Sequence, residues 1–325
     1  MHNQFIMALV VFLLSFTMEG EAQTPSVYVA RYKGDKICAV SYTFDDGLED
    51  HYTVLFPQLK KYGIKATFWI WGKGIEHPEY QLGKPRLTWK QMREMVADGQ
   101  EVSNHTWSHP NNLPRLTDSQ IRDELVRNDT AIFHHTGVYP RTLAYPGNNM
   151  SERAIKIASE GRIATRTSQF AVGQDVSHIT PERLHLWLHD LLKKRAWGVT
   201  MTHGIVKGYD YFHDPSVLWN HFKEVASMKD SVWIATFRDA AAYIREQQNI
   251  RLDVSKNEAG YLVKPRLSLD KRLFSQWLTM VVLTKNGSVV KVYQKGHRLP
   301  VTVRSGKIMF DFNPYGGNIK ILNVD

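Results

Sequence analysis

Two short stretches of this 325-residue chain carry residue types that bind metal ions or move protons. In the first, the adjacent carboxylates Asp45 and Asp46 follow the apolar run Ile37–Phe44 and precede Gly47. The run predicts a buried strand that ends at the glycine turn. Two like charges at a strand end repel each other and resist burial, which favours a cation or a proton between them. An Asp-Gly pair after a strand is also an ordinary turn, so this stretch alone leaves both interpretations open.

The second stretch contains two histidines, His105 and His109, four residues apart. On one helical turn or in a tight loop, this spacing lets both imidazoles reach a single ion. An aspartate with two histidines is a three-ligand set that leaves a coordination position open for water. We interpret the combination as a catalytic metal site. Mixed nitrogen and oxygen ligands favour Zn²⁺, and they also accept Co²⁺ or Ni²⁺.

The same residues resemble the motifs of a known family. Thr43–Gly47 and His105–His109 resemble the first two motifs of the polysaccharide deacetylases, carbohydrate esterase family 4 or the NodB-homology group. His203, at the end of the later run Val199–Thr202, resembles a further family motif, and the resemblance extends over 36–247. It implies a distorted (β/α) barrel and metal-dependent hydrolysis of acetyl groups from a poly- or oligosaccharide.

The resemblance also implies roles for individual residues. Asp46, His105 and His109 match the family's metal ligands, with a metal-activated water as the nucleophile. Asp45 matches the general base that takes the proton of that water, and His203 matches the general acid that protonates the leaving amine or alkoxide.

The third family motif is present only in part. Ala144 stands where the family has an arginine that steadies the base, and Arg141 lies three residues earlier. Tyr145 and Pro146 are expected to line the substrate pocket, with the Gly147 N–H as an oxyanion donor.

The fourth motif, an acidic element that tunes the histidine, is not recognisable, and Asp175 is its nearest candidate. Three functions therefore stay open. The favoured one is an N-acetyl deacetylase. The alternatives are an O-acetyl esterase on xylan-like chains, which needs the same residues, and a non-catalytic glycan-binding protein with the same fold.

The elements that position these residues alternate between short apolar runs and amphipathic stretches, which predicts a parallel sheet or barrel. The seven strand candidates are Cys38–Phe44, Ala66–Trp71, Glu101–Asn104, Thr142–Tyr145, Ile163–Thr165, Gly198–Thr202 and Val232–Thr236. In such barrels the site lies at the carboxyl ends of the strands. The candidate site residues all follow strand runs in this way.

After about residue 250 the pattern changes to short β-type runs separated by turns such as Lys285–Gly287. This pattern predicts a small all-β domain resembling a sandwich. The predicted division is a signal peptide over 1–22, a deacetylase domain over 23–249 and a β domain over 250–325.

The start of the chain, the cysteine count and the charge indicate where the protein works. The 12-residue apolar segment Phe5–Phe16 precedes Gly20–Ala22, which predicts a signal peptide cleaved near Ala22; an uncleaved anchor is the alternative. A single cysteine, Cys38, forms no intramolecular disulfide and favours a bacterial periplasm or exterior. The net charge is +9, without a basic run interleaved with aromatic residues, so nucleic acid is not an expected partner. We expect an acetylated glycan as partner and no stable membrane insertion after cleavage, and the pattern leaves the oligomeric state open.

Overall fold

The chain forms a (β/α) part followed by a part made of strands alone. The computed structural model describes residues 27–77, 79, 84–283 and 291–322. The strands are β1 (Val27–Val29), β2 (Cys38–Ser41), β3 (Thr43–Phe44), β4 (Thr67–Ile70), β5 (Glu101–Asn104), β6 (Thr142–Ala144), β7 (Ala164–Arg166), β8 (Phe170–Ala171), β9 (Trp197–Met201), β10 (Val232–Ile234), β11 (Arg251–Asn257), β12 (Gly260–Arg266), β13 (Leu278–Leu283), β14 (Lys291–Gln294), β15 (His297–Leu299), β16 (Thr302–Arg304), β17 (Lys307–Phe312) and β18 (Ile319–Leu322). The helices are α1 (Phe56–Tyr62), α2 (Gly72–Glu76), α3 (Trp89–Ala97), α4 (Asp118–Thr136), α5 (Glu152–Ala158), α6 (Pro181–Lys194), α7 (Ser216–Ser227) and α8 (Phe237–Asn249).

Strands β2 to β10 form two parallel sheets that together enclose a distorted barrel. Their orders are β3-β4-β5-β6-β7 and β10-β2-β9-β8. A parallel bridge between Phe44 and Thr202 joins the sheets where β2 continues into β3. β7 and β8 are the end strands of their sheets, so the barrel wall is interrupted between these two strands. The carboxyl ends of the parallel strands lie at one end of this barrel, where a site is expected.

The helices cover the barrel through one apolar face each. In α7, the buried residues Leu218, Phe222 and Val225 are spaced by four and three positions, which places them on one side of a helix. They pack in the same core as Phe44 and Phe68 from the strands. Two helices begin at capping boxes, α3 at Thr88 and α4 at Thr117, which end the preceding loops at defined positions.

The last strands build two antiparallel sheets that face each other. One has the order β1-β13-β17-β16 and the other β11-β12-β18-β14-β15. Alternate residues of these strands point inward, and Met280, Val263, Ile308 and Ile321 lie in one buried core. β1 pairs with β13 with Val27 opposite Val282, so a segment before the barrel completes a sheet made from residues after it.

The predicted fold class is confirmed: a distorted (β/α) barrel is followed by antiparallel sheets. Each of the seven strand candidates overlaps a strand, and β8 is a short strand that the pattern did not indicate. β1 lies in a sheet of the last part although the predicted division assigns it to the deacetylase domain; the boundaries themselves stay a prediction. The predicted signal peptide and the turn at 285–287 lie outside the described residues. Within the described ranges, no helix is both long enough and apolar enough to cross a membrane.

Candidate active site

Asp45 and Asp46 lie directly after β3, at the carboxyl end of the barrel. Asp46 has a φ of 76° and Gly47 a φ of 62°, so the chain turns sharply through two left-handed residues. Aspartate tolerates this conformation better than most residues, and glycine adopts it without strain. A Cβ at Gly47 would also come within 2.7 Å of Ile70 Cδ1. The turn therefore requires the glycine, and it directs the two carboxylates to different neighbours.

His105 and His109 lie in a tight loop after β5. Thr106 and His109 both have positive φ angles, 65° and 57°, so the loop is not a helical turn. Asn104 stabilises it, because its Oδ1 accepts the N–H of Thr106 at 2.6 Å and the side-chain amide of Asn128 at 3.0 Å. This loop places the two imidazoles side by side, with ring centroids 4.9 Å apart.

The three predicted ligands come together around one point. Asp46 Oδ1 lies 3.3 Å from His109 Nε2 and 3.7 Å from His105 Nε2, and the three donor atoms all lie within 4.8 Å of one another. His105 Nδ1 donates to the carbonyl oxygen of Ala144 at 2.8 Å, which leaves Nε2 as the acceptor that faces Asp46. Burial and the neighbouring His109 lower the pKa of His105 to about 4, so the ring is neutral at neutral pH, the form that binds a metal.

The donor set fits a divalent metal ion. Asp46 Oδ1 is buried and has no hydrogen-bond partner. Burial raises the pKa of Asp46, but the nearby imidazoles, His109 first among them, outweigh that effect and hold it below its usual range. A buried anionic oxygen without a donor is costly unless a cation binds it, and the set of two nitrogens and one oxygen suits Zn²⁺.

Asp45 has a different partner, which sequence reasoning missed. Both of its oxygens accept from Arg166, with Nη1–Oδ1 at 2.6 Å and Nη2–Oδ2 at 2.5 Å, and the two side chains are almost completely buried. Burial raises the pKa of Asp45, but Arg166 lowers it further, so the carboxylate stays ionised.

Arg166 lies where the third motif lacks its arginine. It stands at the end of β7, directly opposite Ala144 of β6. The guanidinium beside Asp45 thus comes from the strand next to the one that carries Ala144. Arg141, the earlier candidate, instead donates to the Gly161 carbonyl at 3.3 Å. The end-of-strand position of Arg166, shared with the other site residues, is the signal that would have found it.

His203 follows β9 and is held through its main chain. Its carbonyl oxygen accepts from His51 Nε2 at 2.6 Å, and its ring packs edge-on against Tyr209 with centroids 5.0 Å apart. The ring lies near enough to Asp45 and Asp46 to contribute to the lowered pKa of both carboxylates, so it belongs to the same site.

The other residues predicted from the sequence are Asp175 and the third-motif residues Tyr145, Pro146 and Gly147. Asp175 lies beside His213, with 3.9 Å between Oδ1 and Nε2, and is not in contact with His203. Tyr145 is only 1% exposed and its hydroxyl donates to Thr165 Oγ1 at 3.0 Å, so its contact with substrate stays a prediction. Pro146 is buried and Gly147 is exposed with a φ of 58°.

A second cation, Arg86, lies on the other side of Asp46. Its Nη1 donates to the main-chain oxygen of Asp46 at 3.0 Å, and its guanidinium stacks over Trp71 at 5.2 Å from the ring centre. No spacing in the loop after α2 indicates this contact, because the loop reaches the site only through the fold.

The structure is a barrel with three candidate metal donors beside a buried Asp45–Arg166 pair, and it was compared with known proteins. The polysaccharide deacetylase family model matches residues 33–164. YxkH of Bacillus subtilis, which is assigned to the polysaccharide deacetylases, is 36% identical over 121 residues. The Bacillus cereus peptidoglycan-N-acetylglucosamine deacetylase is 27% identical over 122 residues. Each alignment covers 37% of this chain, and the chain spans about two fifths of the length of each relative (41% and 40%).

A solved structure shows the same fold. The crystal structure of a Mycobacterium smegmatis protein assigned to the polysaccharide deacetylases has a TM-score of 0.51 and 19% identity, and the match covers 68% of this chain and 94% of that one. The chain is thus similar to the polysaccharide deacetylases over residues 33–164, within a barrel that has the fold of that structure.

Proposed function

We propose that the protein is a secreted, metal-dependent deacetylase that removes acetyl groups, N-acetyl in preference to O-acetyl, from a poly- or oligosaccharide. The observation that carries the proposal is the pairing of two different carboxylates at one strand end. Asp46 faces two imidazole nitrogens, while Asp45 is bound on both oxygens by Arg166.

Asp46, His105 and His109 are the residues that would hold the ion. A divalent ion bound there would polarise the acetyl carbonyl and make a water molecule more acidic. The protein's own contribution is to keep the ligands in their binding state, since the Ala144 carbonyl holds the proton of His105 on Nδ1.

Asp45 acts as the general base. Its buried carboxylate stays ionised beside Arg166, and it takes a proton from water as the oxygen attacks the acetyl carbon. The guanidinium binds both oxygens and so limits rotation of the carboxylate, which keeps the base in one orientation.

His203 acts as the general acid. It donates a proton to the leaving nitrogen as the bond to the acetyl carbon breaks, which an amide requires because its nitrogen is a poor leaving group. An ester oxygen needs the same ion, base and acid. The N-acetyl preference therefore rests on the names of relatives such as the Bacillus cereus N-acetylglucosamine deacetylase.

The test is acetate release from N-acetylated glucosamine oligomers, peptidoglycan and acetylated xylan, with metal content measured on the same samples. We expect Asp46→Asn to lose the ion and the activity together. Asp45→Asn should keep the ion and lose about 10²–10⁴-fold in turnover. Asp190→Asn, an exposed carboxylate on α6, is the matched control and should behave as wild type.

Two results would contradict the proposal. A metal-loaded wild type that is inactive on every substrate would favour the glycan-binding alternative. Preferential release from xylan would favour the O-acetyl esterase.

A further inference from the structure

A second cluster of metal-binding side chains lies on the outer helices. His185 and His189 are one turn apart on α6, and Glu224 lies opposite them on α7. His185 Nδ1 is 2.6 Å from Glu224 Oε1, and His189 Nε2 is 3.9 Å from the same oxygen. One donor atom from each residue lies within 4.8 Å of the other two.

A hydrogen bond between His185 and Glu224 is the simplest explanation of this contact, but it does not account for His189. The two imidazoles lie with their centroids only 4.2 Å apart, and both approach the same carboxylate oxygen. If both rings were protonated they would repel each other, whereas neutral rings both offer lone pairs to one cation. A pair of histidines four residues apart on a helix reaches a single ion.

A buried group beside the cluster also lacks a partner. His221, on the inner side of α7, has a side chain that is 2% exposed, and its Nδ1 has no hydrogen-bond partner. This nitrogen is directed at Glu224, 3.7 Å from Oε2, while Nε2 is 3.0 Å from the Tyr42 hydroxyl. A small movement of the carboxylate would let His221 donate to Oε2 and leave Oε1 for an ion, the arrangement in which an outer residue orients a ligand.

The cluster is open to solvent. His185, His221 and Glu224 line a cavity of about 580 Å³ between the two helices. The side chains of His185 and His189 are about half exposed. An ion can therefore enter without any rearrangement of the core, and a water molecule has room to complete its coordination.

We propose that His185, His189 and Glu224 bind a second divalent transition-metal ion, with Zn²⁺ the ion that the donor set favours. The ion joins α6 to α7 and so stabilises the helix pair against the barrel. This site shares no residue with the candidate active site, and it does not depend on the proposed deacetylase activity.

The test uses the full chain, stripped with a chelator and dialysed against Zn²⁺ alone, with metal counted per chain. We expect two ions in wild type and one in each of His189→Ala, Glu224→Gln and His105→Ala. The double variant His105→Ala/His189→Ala should bind none. His297→Ala, an exposed histidine on β15, is the matched control and should keep both ions.

Thermal unfolding gives a second readout in the His105→Ala background. Zn²⁺ should raise the Tm of His105→Ala and leave that of the double variant unchanged, because an ion that binds only the folded state stabilises it. Circular dichroism before the titration checks that each variant is folded. An unchanged count in His189→Ala, whether wild type holds one ion or two, would overturn the proposal. An unchanged count in His105→Ala would instead count against the active-site ligands, so the two failures are distinguishable.

Discussion

At the scale of single residues, the buried pair between Arg166 and Asp45 separates the two adjacent aspartates. Asp45 has a guanidinium on both oxygens, whereas Asp46 Oδ1 faces only imidazoles. Removing one member of a buried ion pair leaves an uncompensated charge, which typically destabilises a protein by about 3–5 kcal/mol. Arg166 therefore has a structural effect as well as its positioning effect, and an experiment has to separate them.

We predict that Arg166→Met lowers turnover by about 10²-fold while metal content is retained, because a small displacement of a catalytic group has effects of that size. The measurement is kcat of the folded fraction together with elemental analysis. Arg162→Met is the matched control, since Arg162 makes a similar buried pair with Asp129, which reaches the site only through the side-chain amide of Asn104. The control should lose stability and keep kcat. An undiminished kcat in Arg166→Met would remove Arg166 from the positioning role.

At the scale of elements, the segment after β3 holds the loop that carries His203, the proposed general acid. Asp50 Oδ2 accepts the N–H groups of Ile205, Val206 and Lys207 at 2.8, 2.9 and 3.4 Å, immediately after His203. The next residue, His51, donates a hydrogen bond to the His203 carbonyl oxygen. Two loops from distant parts of the sequence are thereby fixed relative to each other.

We predict that Asp50→Ala lowers kcat by about 10²-fold through misplacement of His203, with unchanged metal content because no ligand lies on this loop. Asp50→Asn keeps an oxygen acceptor and should recover most of the activity. The measurement is kcat and KM for both variants. Equal loss of activity in the two variants would show that the side-chain oxygen at position 50 does not anchor the His203 loop, and it would contradict the prediction.

A second element-scale prediction concerns pH. Glu246 on α8 is fully buried; its Oε1 accepts the N–H of Gln276 at 2.9 Å, and its Oε2 has no hydrogen-bond partner. Burial raises the pKa of Glu246 from 4.5 to about 7, with the Gln276 N–H acting in the opposite direction. Because the folded state holds this proton more tightly, the stabilisation is complete below pH 4.5 and is lost as the pH rises towards 7.

We therefore predict that the free energy of unfolding of wild type falls between these pH values by up to about 3 kcal/mol relative to Glu246→Gln. Urea unfolding at several pH values, with a chelator present throughout, measures the difference. Glu152→Gln, an exposed glutamate on α5, should show the wild-type pH dependence. Parallel curves for wild type and Glu246→Gln would contradict the prediction.

At the scale of the whole molecule, β1 ties the beginning of the described chain to its last sheet. Val27 and Val29 are buried opposite Val282 and Met280 of β13. The Ala30 carbonyl accepts from the Tyr243 hydroxyl at 3.0 Å. Along the sequence, the barrel therefore lies between β1 and β13, two strands that pair with each other.

We predict that a chain beginning at Gln23, the expected start after signal cleavage, is as stable as one with a few more residues. A chain beginning at Arg31 should lose roughly 3 kcal/mol or more, because two buried valines and one strand pairing are removed. Urea unfolding of the chains that begin at Gln23 and at Arg31 measures the difference in stability. Equal stability would show that β1 contributes little to the sheet.

The sequence by itself determined the candidate catalytic residues and the fold class. Asp45, Asp46, His105 and His203 each follow a strand run, and local spacing is enough to indicate that; His109 was indicated by its distance of four residues from His105. The carboxyl ends of parallel strands meet at one end of a barrel, so these residues were expected to converge. The change from alternating elements to β-type runs near residue 250 likewise required no knowledge of contacts.

Tertiary structure alone decided which residues support the site. Arg166 reaches Asp45 because the curved sheet brings β7 close to β3 across the barrel, although three strands separate them in the sheet, and the spacing of residues along one strand does not encode that curvature. The approach of Arg86 to Asp46, the anchoring of the His203 loop by Asp50, and the pairing of β1 with β13 have the same origin. Each joins segments that are distant in sequence, and such contacts depend on how the whole chain packs rather than on any local pattern.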